Sequence, residues 1–448
     1  MRPRRLATLL SRSATTGSTW FPVRPGGNRI PLPGRCRPGC AIHHHLLNDL
    51  LQITRPTKKP ATRRAASTLL LALAACARPP SPSPAPVVDE SGMGPRYVSA
   101  DTTPGRPPVV RDWELMGTVL RISVWDADTA RSLAALDAAH AAAMRVDSLT
   151  SAGGAGSEVA AANRRAGTDA ATTLSPWTAD ALRRALAVSA QSDGALDVTA
   201  APLVDAWASY RGRNAVPPRS LRDSLAASVG WRRLRFDPAT REVRLPVRGM
   251  RLDLGAVARG YAVDRAVGAL RAAGVANGLV DLGGRYRVFG TAPIGARWML
   301  GLQDPRNAND VFAAVQVDSG AVAVAGGYDH FAVVDGTRHS TVIDPRTGQP
   351  VGGVVAVYVI APDAATADAL SGALYVLGPE AGCRYARAHP GVEAVWVRGN
   401  GEREEQEDDD EGLDPELVVI TDGLAGRFEI LTEEPEDEKP TPCGALVR

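Results

Sequence analysis

The sequence predicts an α+β fold: a single mixed domain over residues 109–435, with antiparallel sheets and flanking helices. Three observations predict it. Strand-like and helix-like stretches are intermixed instead of repeating as β-α-β units. Several strand pairs are separated only by short runs of turn formers, which is the mark of hairpins. No Walker loop or GxGxxG opens a helix, as it would in a doubly wound nucleotide-binding sheet, and no HExxH, GxSxG or CxxC is present. With 448 residues, 44% of them hydrophobic, the chain is long enough to bury a substantial core.

Folding signals begin near Val109. "LMGTVLRISVWDA" alternates as a strand, and Thr129–Asp147 has the periodicity of an Ala-rich amphipathic helix. "SEVAAANRRAG" reads as a short helix capped by Ser157. "SPWTADALRRALAVSAQSDG" is a third helix, with Ser175 at its cap, Pro176 in its first turn and Gly194 at its stop. "PPRSLRDSLAASVG" gives a fourth, and "WRRLRFDPATREVRLP" a hairpin around Asp-Pro-Ala-Thr. "RLDLGAVARGYAVDRAVGALRAAGVANGLVDLGG" reads as loop, helix, glycine stop and a buried strand ending in two glycines. Strands alternate through 297–360, and "TADALSGALYVLGPEAGCRYARAH" supplies two helices separated by a Gly-Pro break. An acidic loop spans 402–412, "LVVITDGLAGRFEIL" reads as a final hairpin, and 436–448 as a flexible tail.

The first hundred residues carry a different message. Residues 1–60 are rich in Arg, Pro and Gly without periodicity and are expected to be disordered. Residues 61–76 then read as a secretory signal: Arg63 and Arg64, a short apolar stretch from Ala65 to Ala75, and Cys76. Leu73-Ala74-Ala75-Cys76 resembles a bacterial lipoprotein box, in which the cysteine is lipidated, and 77–108 serves as a Pro/Ser-rich tether. The alternative is an Ala/Leu-rich helix that ends by chance in a buried cysteine. A signal placed this far in predicts that translation starts near Leu47–Leu51. Cys36, Cys40, His43, His44 and His45 then imitate a metal site by coincidence. The implied location is exported and lipid-anchored, facing the periplasm. No apolar run reaches about 18 residues, so no membrane-spanning helix is predicted. The net charge of +2 points to no nucleic-acid partner. Cys383 and Cys443 could pair in an oxidising compartment, although the sequence alone does not pair them.

Several stretches carry candidate chemistry. "DLGAVARGYAVD" places Asp253 and Arg259 at a small-residue helix start suited to anionic oxygens, or is simply a capped helix. "VDLGG" permits close approach by a ligand or by another backbone. Asp368 in "ATADALSGALYVLG" is either an N-terminal helix charge or a hard-cation ligand. "VIDPRTGQP" is either a turn or a ligand-lining loop.

Together with "MGT" at 116–118, "SEVAAAN", "GALDVTAAPLVDAW" and "GYDHF", these blocks resemble, in order and spacing, the FAD:protein FMN transferase (ApbE-type) family. The resemblance implies an ApbE-like (T-fold-like) domain and a Mg²⁺-dependent in-line transfer. FMN moves from the substrate FAD to a Thr or Ser of a flavoprotein subunit of a membrane redox complex, and AMP leaves. It assigns cofactor contacts to Met116, Ala195, Leu196, Asp197, Asp253, Arg259 and Ile343. Metal contacts fall to the Ala256 carbonyl and Asp368, with Ser371 as a substitute donor. Asp344 belongs to the catalytic loop. The chain departs from the family at Thr341 where relatives carry His, at Gly372 where they carry the ligand Thr, at Ala325-Gly326-Gly327, and at Gly153. His339 lies on the same strand face as Thr341, about 6–7 Å away. Either His339 takes over the proton transfer and Thr341 binds phosphate, or His339 is an ordinary surface histidine. A weakened FAD-binding protein and a Mg²⁺-dependent FAD pyrophosphatase are the alternative readings.

Overall fold

In the computed structural model, which describes residues 107–447 except 293–296, 308–309, 327–330, 335–336, 400–416 and 432–438, strand alternation sorts the side chains into two cores. Val280 and Leu282, Val357 and Val359, and Ala394 and Trp396 enter one core. Leu279, Tyr358, Val395 and Val397, on the same strands, enter the other. Successive residues of a strand face opposite sides, so a central sheet buried on both faces needs apolar residues at nearly every position.

The elements run in the order β1 (Val109–Leu115), β2 (Thr118–Val124), α1 (Thr129–Thr150), α2 (Glu158–Arg164), β3 (Thr172–Thr173), α3 (Pro176–Gln191), α4 (Ala201–Arg211) and α5 (Arg219–Ala226). There follow β4 (Arg235–Asp237), β5 (Glu242–Arg244), α6 (Gly255–Ala272), β6 (Gly278–Leu282), β7 (Arg285–Phe289), β8 (Trp298–Gln303), β9 (Val311–Val317) and β10 (Gly320–Gly326). The remainder is β11 (Phe331–Val334), β12 (Thr337–Ser340), β13 (Ile343–Asp344), β14 (Gln349–Pro350), β15 (Val354–Ala361), α7 (Ala364–Ala388), β16 (Glu393–Arg398), β17 (Val418–Ile420), β18 (Phe428–Ile430), β19 (Thr441–Pro442) and α8 (Cys443–Leu446).

The main sheet has nine strands in the order β1-β2-β6-β7-β10-β15-β16-β17-β19, antiparallel except for the β17–β19 pair. Helices α1, α6 and α7 share the first core with one face of this sheet. The three-stranded sheet β18-β9-β8 contributes Trp298, Leu300, Phe312 and Val315 to the second core. The α+β class with antiparallel sheets is therefore as the sequence predicts.

Three local expectations change. The segment 417–430 is not a hairpin: β17 pairs with β16, whereas β18 pairs with β9 in the other sheet. The short turn 422–424 carries the chain across, because Leu424 buries itself in the second core. Residues 441–446, expected within a flexible tail, form β19 and α8. A disulfide between Cys383 and Cys443, both buried, fastens them to α7. Helix α1 also runs on to Thr150, past the expected Asp147. By contrast, the Gly-Pro break appears as expected: Gly378 interrupts α7 with a φ of 70°, and Pro379 follows. Ser157 caps α2 by accepting the Ala160 N–H. Among the described residues no helix is long and apolar enough to cross a membrane. The leader, Cys76, the tether to residue 106, most of "GYDHF" and the acidic loop lie outside the described residues.

Candidate functional site

Three of the singled-out stretches meet around residues 194–200. Asp197 accepts hydrogen bonds from the Thr199 N–H (2.7 Å), the Thr199 hydroxyl (2.6 Å) and the Trp231 N–H (2.9 Å). Its carboxylate thus holds the turn in shape. Ala195 and Leu196 are buried in the core and fix the position of this segment. The Asp253 N–H donates to the Val198 carbonyl at 2.8 Å, while the Asp253 side chain accepts from Gly255 N–H at 2.7 Å, taking the first donor of α6. From the other side, the Trp207 indole N–H donates to the Gly348 carbonyl at 2.9 Å and docks the 344–348 loop on α4.

That loop is built from its own sequence. Asp344 accepts from the Arg346 N–H and forms a two-pronged pair with its guanidinium at 2.9 Å, and Gly348 N–H closes onto the Asp344 carbonyl. Ile343 is buried beneath it, paired with Pro350. His339 and Thr341 line one small cavity of about 80 Å³ with Trp207 and Arg211. The His339 ring tilts over Trp207 at 5.8 Å between centroids. His339 is therefore half-buried in a cavity wall; its strand ends at Ser340, so it and Thr341 meet across the cavity and not as alternate residues of one strand.

A second cluster lies where α6, α7 and β7 meet. Asp368, 2% exposed, accepts from the Gly260 N–H at 2.9 Å and from Arg285 Nε at 2.8 Å. Arg285 also donates to the Gly283 carbonyl at 2.7 Å. Among the described residues Arg259, one residue before Gly260, has no ion-pair or hydrogen-bond partner. The like charge of Arg285 and burial lower its pKa to about 10, with Asp368 partly offsetting them. Gly283, at a φ of 56°, packs against the Thr118 side chain. The glycine pair thus serves close approach to the Met116-Gly117 turn, where Met116 itself holds a φ of 51°.

The residues assigned to Mg²⁺ do not form an open donor set. Each Asp368 oxygen already accepts a hydrogen bond, the Ser371 hydroxyl donates to the Asp368 carbonyl at 2.8 Å, and Gly372 offers no side chain. Ala256 lies exposed in the first turn of α6. Among the described residues no group of three or more His, Cys, Asp or Glu side chains is placed to share a metal ion. A hard cation favours six or more oxygens and would meet two guanidiniums here.

With this geometry in place, comparison with known proteins is decisive for the family. The model of the ApbE family matches residues 116–396, well over half of the chain. The chain belongs to the ApbE family. Among its relatives is the FAD:protein FMN transferase of Treponema pallidum (strain Nichols), 32% identical over 300 residues, or 63% of this chain and 82% of that one. The Escherichia coli (strain K12) protein of the same name is 34% identical over 219 residues, or 46% of this chain. The chain thus spans 62% of that relative's length. Similar solved structures include the ApbE protein of Thermotoga maritima, with a TM-score of 0.58 and 31% identity, covering 65% of this chain and 94% of that one. The flavin transferase ApbE of Vibrio cholerae matches with a TM-score of 0.58 and 26% identity, covering 67% and 96%.

In this ApbE chain, four residues that organise the site were not singled out from the sequence for that role. Asn163 clamps Leu252 with both ends of its amide, 2.9 Å to the carbonyl and 2.7 Å from the N–H, and so fixes Asp253 next door. Thr199 accepts from the Gly230 N–H, Trp207 holds the 344–348 loop, and Arg285 pairs with Asp368. The first three lie inside recognised blocks, and Arg285 directly follows "VDLGG".

Asp281 on β6 sits in register between Arg121 and Tyr286. Burial pushes its carboxyl up to about 7, with the Gly284 N–H and Arg121 opposing. A carboxyl whose pKa rises on folding favours the folded state at low pH, so stability falls as pH climbs from 3.8 toward about 7. Asp281→Asn should flatten that part of the stability profile, as read from urea melts at several pH values. An unchanged slope would assign the dependence to another group.

Proposed function

We propose that this ApbE-family chain transfers FMN from FAD to a Thr or Ser hydroxyl of an exported flavoprotein subunit. The hydroxyl oxygen bonds to the FMN phosphorus, the anhydride P–O bond breaks, and AMP leaves with the electron pair. One observation carries the proposal: Arg259 and Arg285 supply positive charge where the second turn of α6 meets the end of "VDLGG", a setting suited to a dinucleotide's phosphates. The relatives' names and the meeting of the flavin-matching segments support it.

Each Asp368 oxygen already accepts a hydrogen bond, from the Gly260 N–H and from Arg285, so guanidinium groups meet the phosphate charge here. Arg259 and Arg285 draw the charged bridge into place, the 194–200 segment and the Asp253 turn form a rigid bed, and His339 takes the hydroxyl proton beside Thr341. In-line transfers of this kind depend mostly on positioning and charge. His339→Ala should lower turnover by about 100-fold, measured as AMP release, and unchanged turnover would remove His339 from the chemistry.

Incubation with FAD and a Thr-bearing acceptor peptide decides the reaction. AMP with flavin-labelled peptide supports transfer, AMP with free FMN supports hydrolysis by water, and intact bound FAD supports a binding protein only. The location is part of the proposal: export, lipidation at Cys76 and a periplasmic site beside a membrane redox complex, to which the buried Cys383–Cys443 disulfide lends support. Cys76→Ser should move the protein from the membrane fraction to the soluble periplasmic fraction. A variant still sedimenting with membranes would overturn the anchor.

A further inference from the structure

We infer that Arg285 and Arg259 form a diphosphate clamp that works without a divalent cation, with the Arg285 guanidinium seated on Asp368 where the family resemblance puts Mg²⁺. The inference rests on the flavin-dinucleotide reading above and deepens it.

The argument is one of donors and charge. Asp368 is the sole carboxylate assigned to the metal, and Arg285 Nε and the Gly260 N–H use its two oxygens at 2.8 and 2.9 Å. The pair is well enclosed, with 13% of the Arg285 side chain and 1% of the Asp368 side chain exposed. Arg285 is anchored a second time by the Gly283 carbonyl, so its position is fixed from two directions. Its remaining nitrogen, Nη2, makes no bond among the described residues.

A cation-binding variant of this cluster would keep oxygen donors on the next turn of α7. Here Ser371 turns its hydroxyl onto the backbone, and Gly372 leaves open space where a side chain would reach in. Arg259 and Arg285 face Asp368, and burial pushes the nearby Asp281 carboxyl up to about 7, so the cluster is net positive while that carboxyl is protonated, matched to an anionic ligand and adverse to a second cation. Planar guanidinium groups grip phosphate oxygens in pairs, which supplies the geometry that a bridging metal otherwise imposes. The missing ligand threonine and the guanidinium on Asp368 thus fit one exchange, of a metal for an arginine.

The test is calorimetric titration of the full chain with FAD, in EDTA and again with saturating Mg²⁺. Affinities equal within about threefold in the two conditions support the clamp. A gain of about tenfold or more with Mg²⁺ overturns it while leaving the flavin reading intact. Absence of FAD binding in both conditions overturns the flavin reading and the clamp together. Arg259→Gln breaks no bond among the described residues and so should fold; it should weaken FAD binding in EDTA by about tenfold or more. Unchanged affinity in that variant also overturns the clamp. The pair Arg285→Asn with Gly372→Thr should make FAD binding dependent on Mg²⁺, and binding that stays indifferent to Mg²⁺ in a folded double variant overturns the exchange.

Discussion

Gly260→Ala destabilises the protein by about 3 kcal/mol. Helices α6 and α7 cross at this residue: a Cβ would fall inside the Ala364 carbonyl and 2.7 Å from the Asp368 Cβ. Both neighbours belong to the start of α7, which is held by Asp363 as its cap and by Asp264, so neither can swing away cheaply. Alanine is the better helix former by about 1 kcal/mol, and the sign is decided by packing against that gain. Gly268, on the same helix, is the control. Nothing lies within 4 Å of its missing Cβ, and Gly268→Ala should stabilise by about 0.5–1 kcal/mol. Urea denaturation of the two variants side by side checks both; equal effects would mean that α6 and α7 do not touch at Gly260.

The second large effect is at Asp368. Removing the carboxylate in Asp368→Ala strands a buried guanidinium and the Gly260 N–H, at a cost of about 3–5 kcal/mol. Asp368→Asn keeps an acceptor for one partner and loses only the charge, so the cost should fall to about 1–3 kcal/mol. A loss below about 1 kcal/mol in the alanine variant would place the pair in solvent-like surroundings. Because Asp368 ties α6, α7 and β7 to one point, the same variant should loosen the site as well as the fold.

Asp368 also shows how far sequence reasoning reaches. A carboxylate one turn into an apolar helix is expected to have a charged partner, and the sequence offers two chemistries for it. Which partner arrives depends on the β7 strand, 83 residues away in the chain, delivering Arg285. Asn163 is a similar case: its amide clamps a backbone 89 residues distant, which no local pattern encodes. The 417–430 segment fails differently. Two short strands and a glycine turn look like a hairpin locally, but Leu424 finds more apolar surface in the second core, and the strands part.

From sequence came the caps and breaks at Ser157 and Gly378-Pro379, the α+β class and the blocks that mark an ApbE chain. Those features depend on periodicity and on backbone preferences a few residues long. The tertiary structure alone decided that an arginine meets Asp368, that Cys383 bonds Cys443, and that the 344–348 loop leans on Trp207. Such pairings join residues far apart in the chain, and their energies exist only after the cores have brought the partners together.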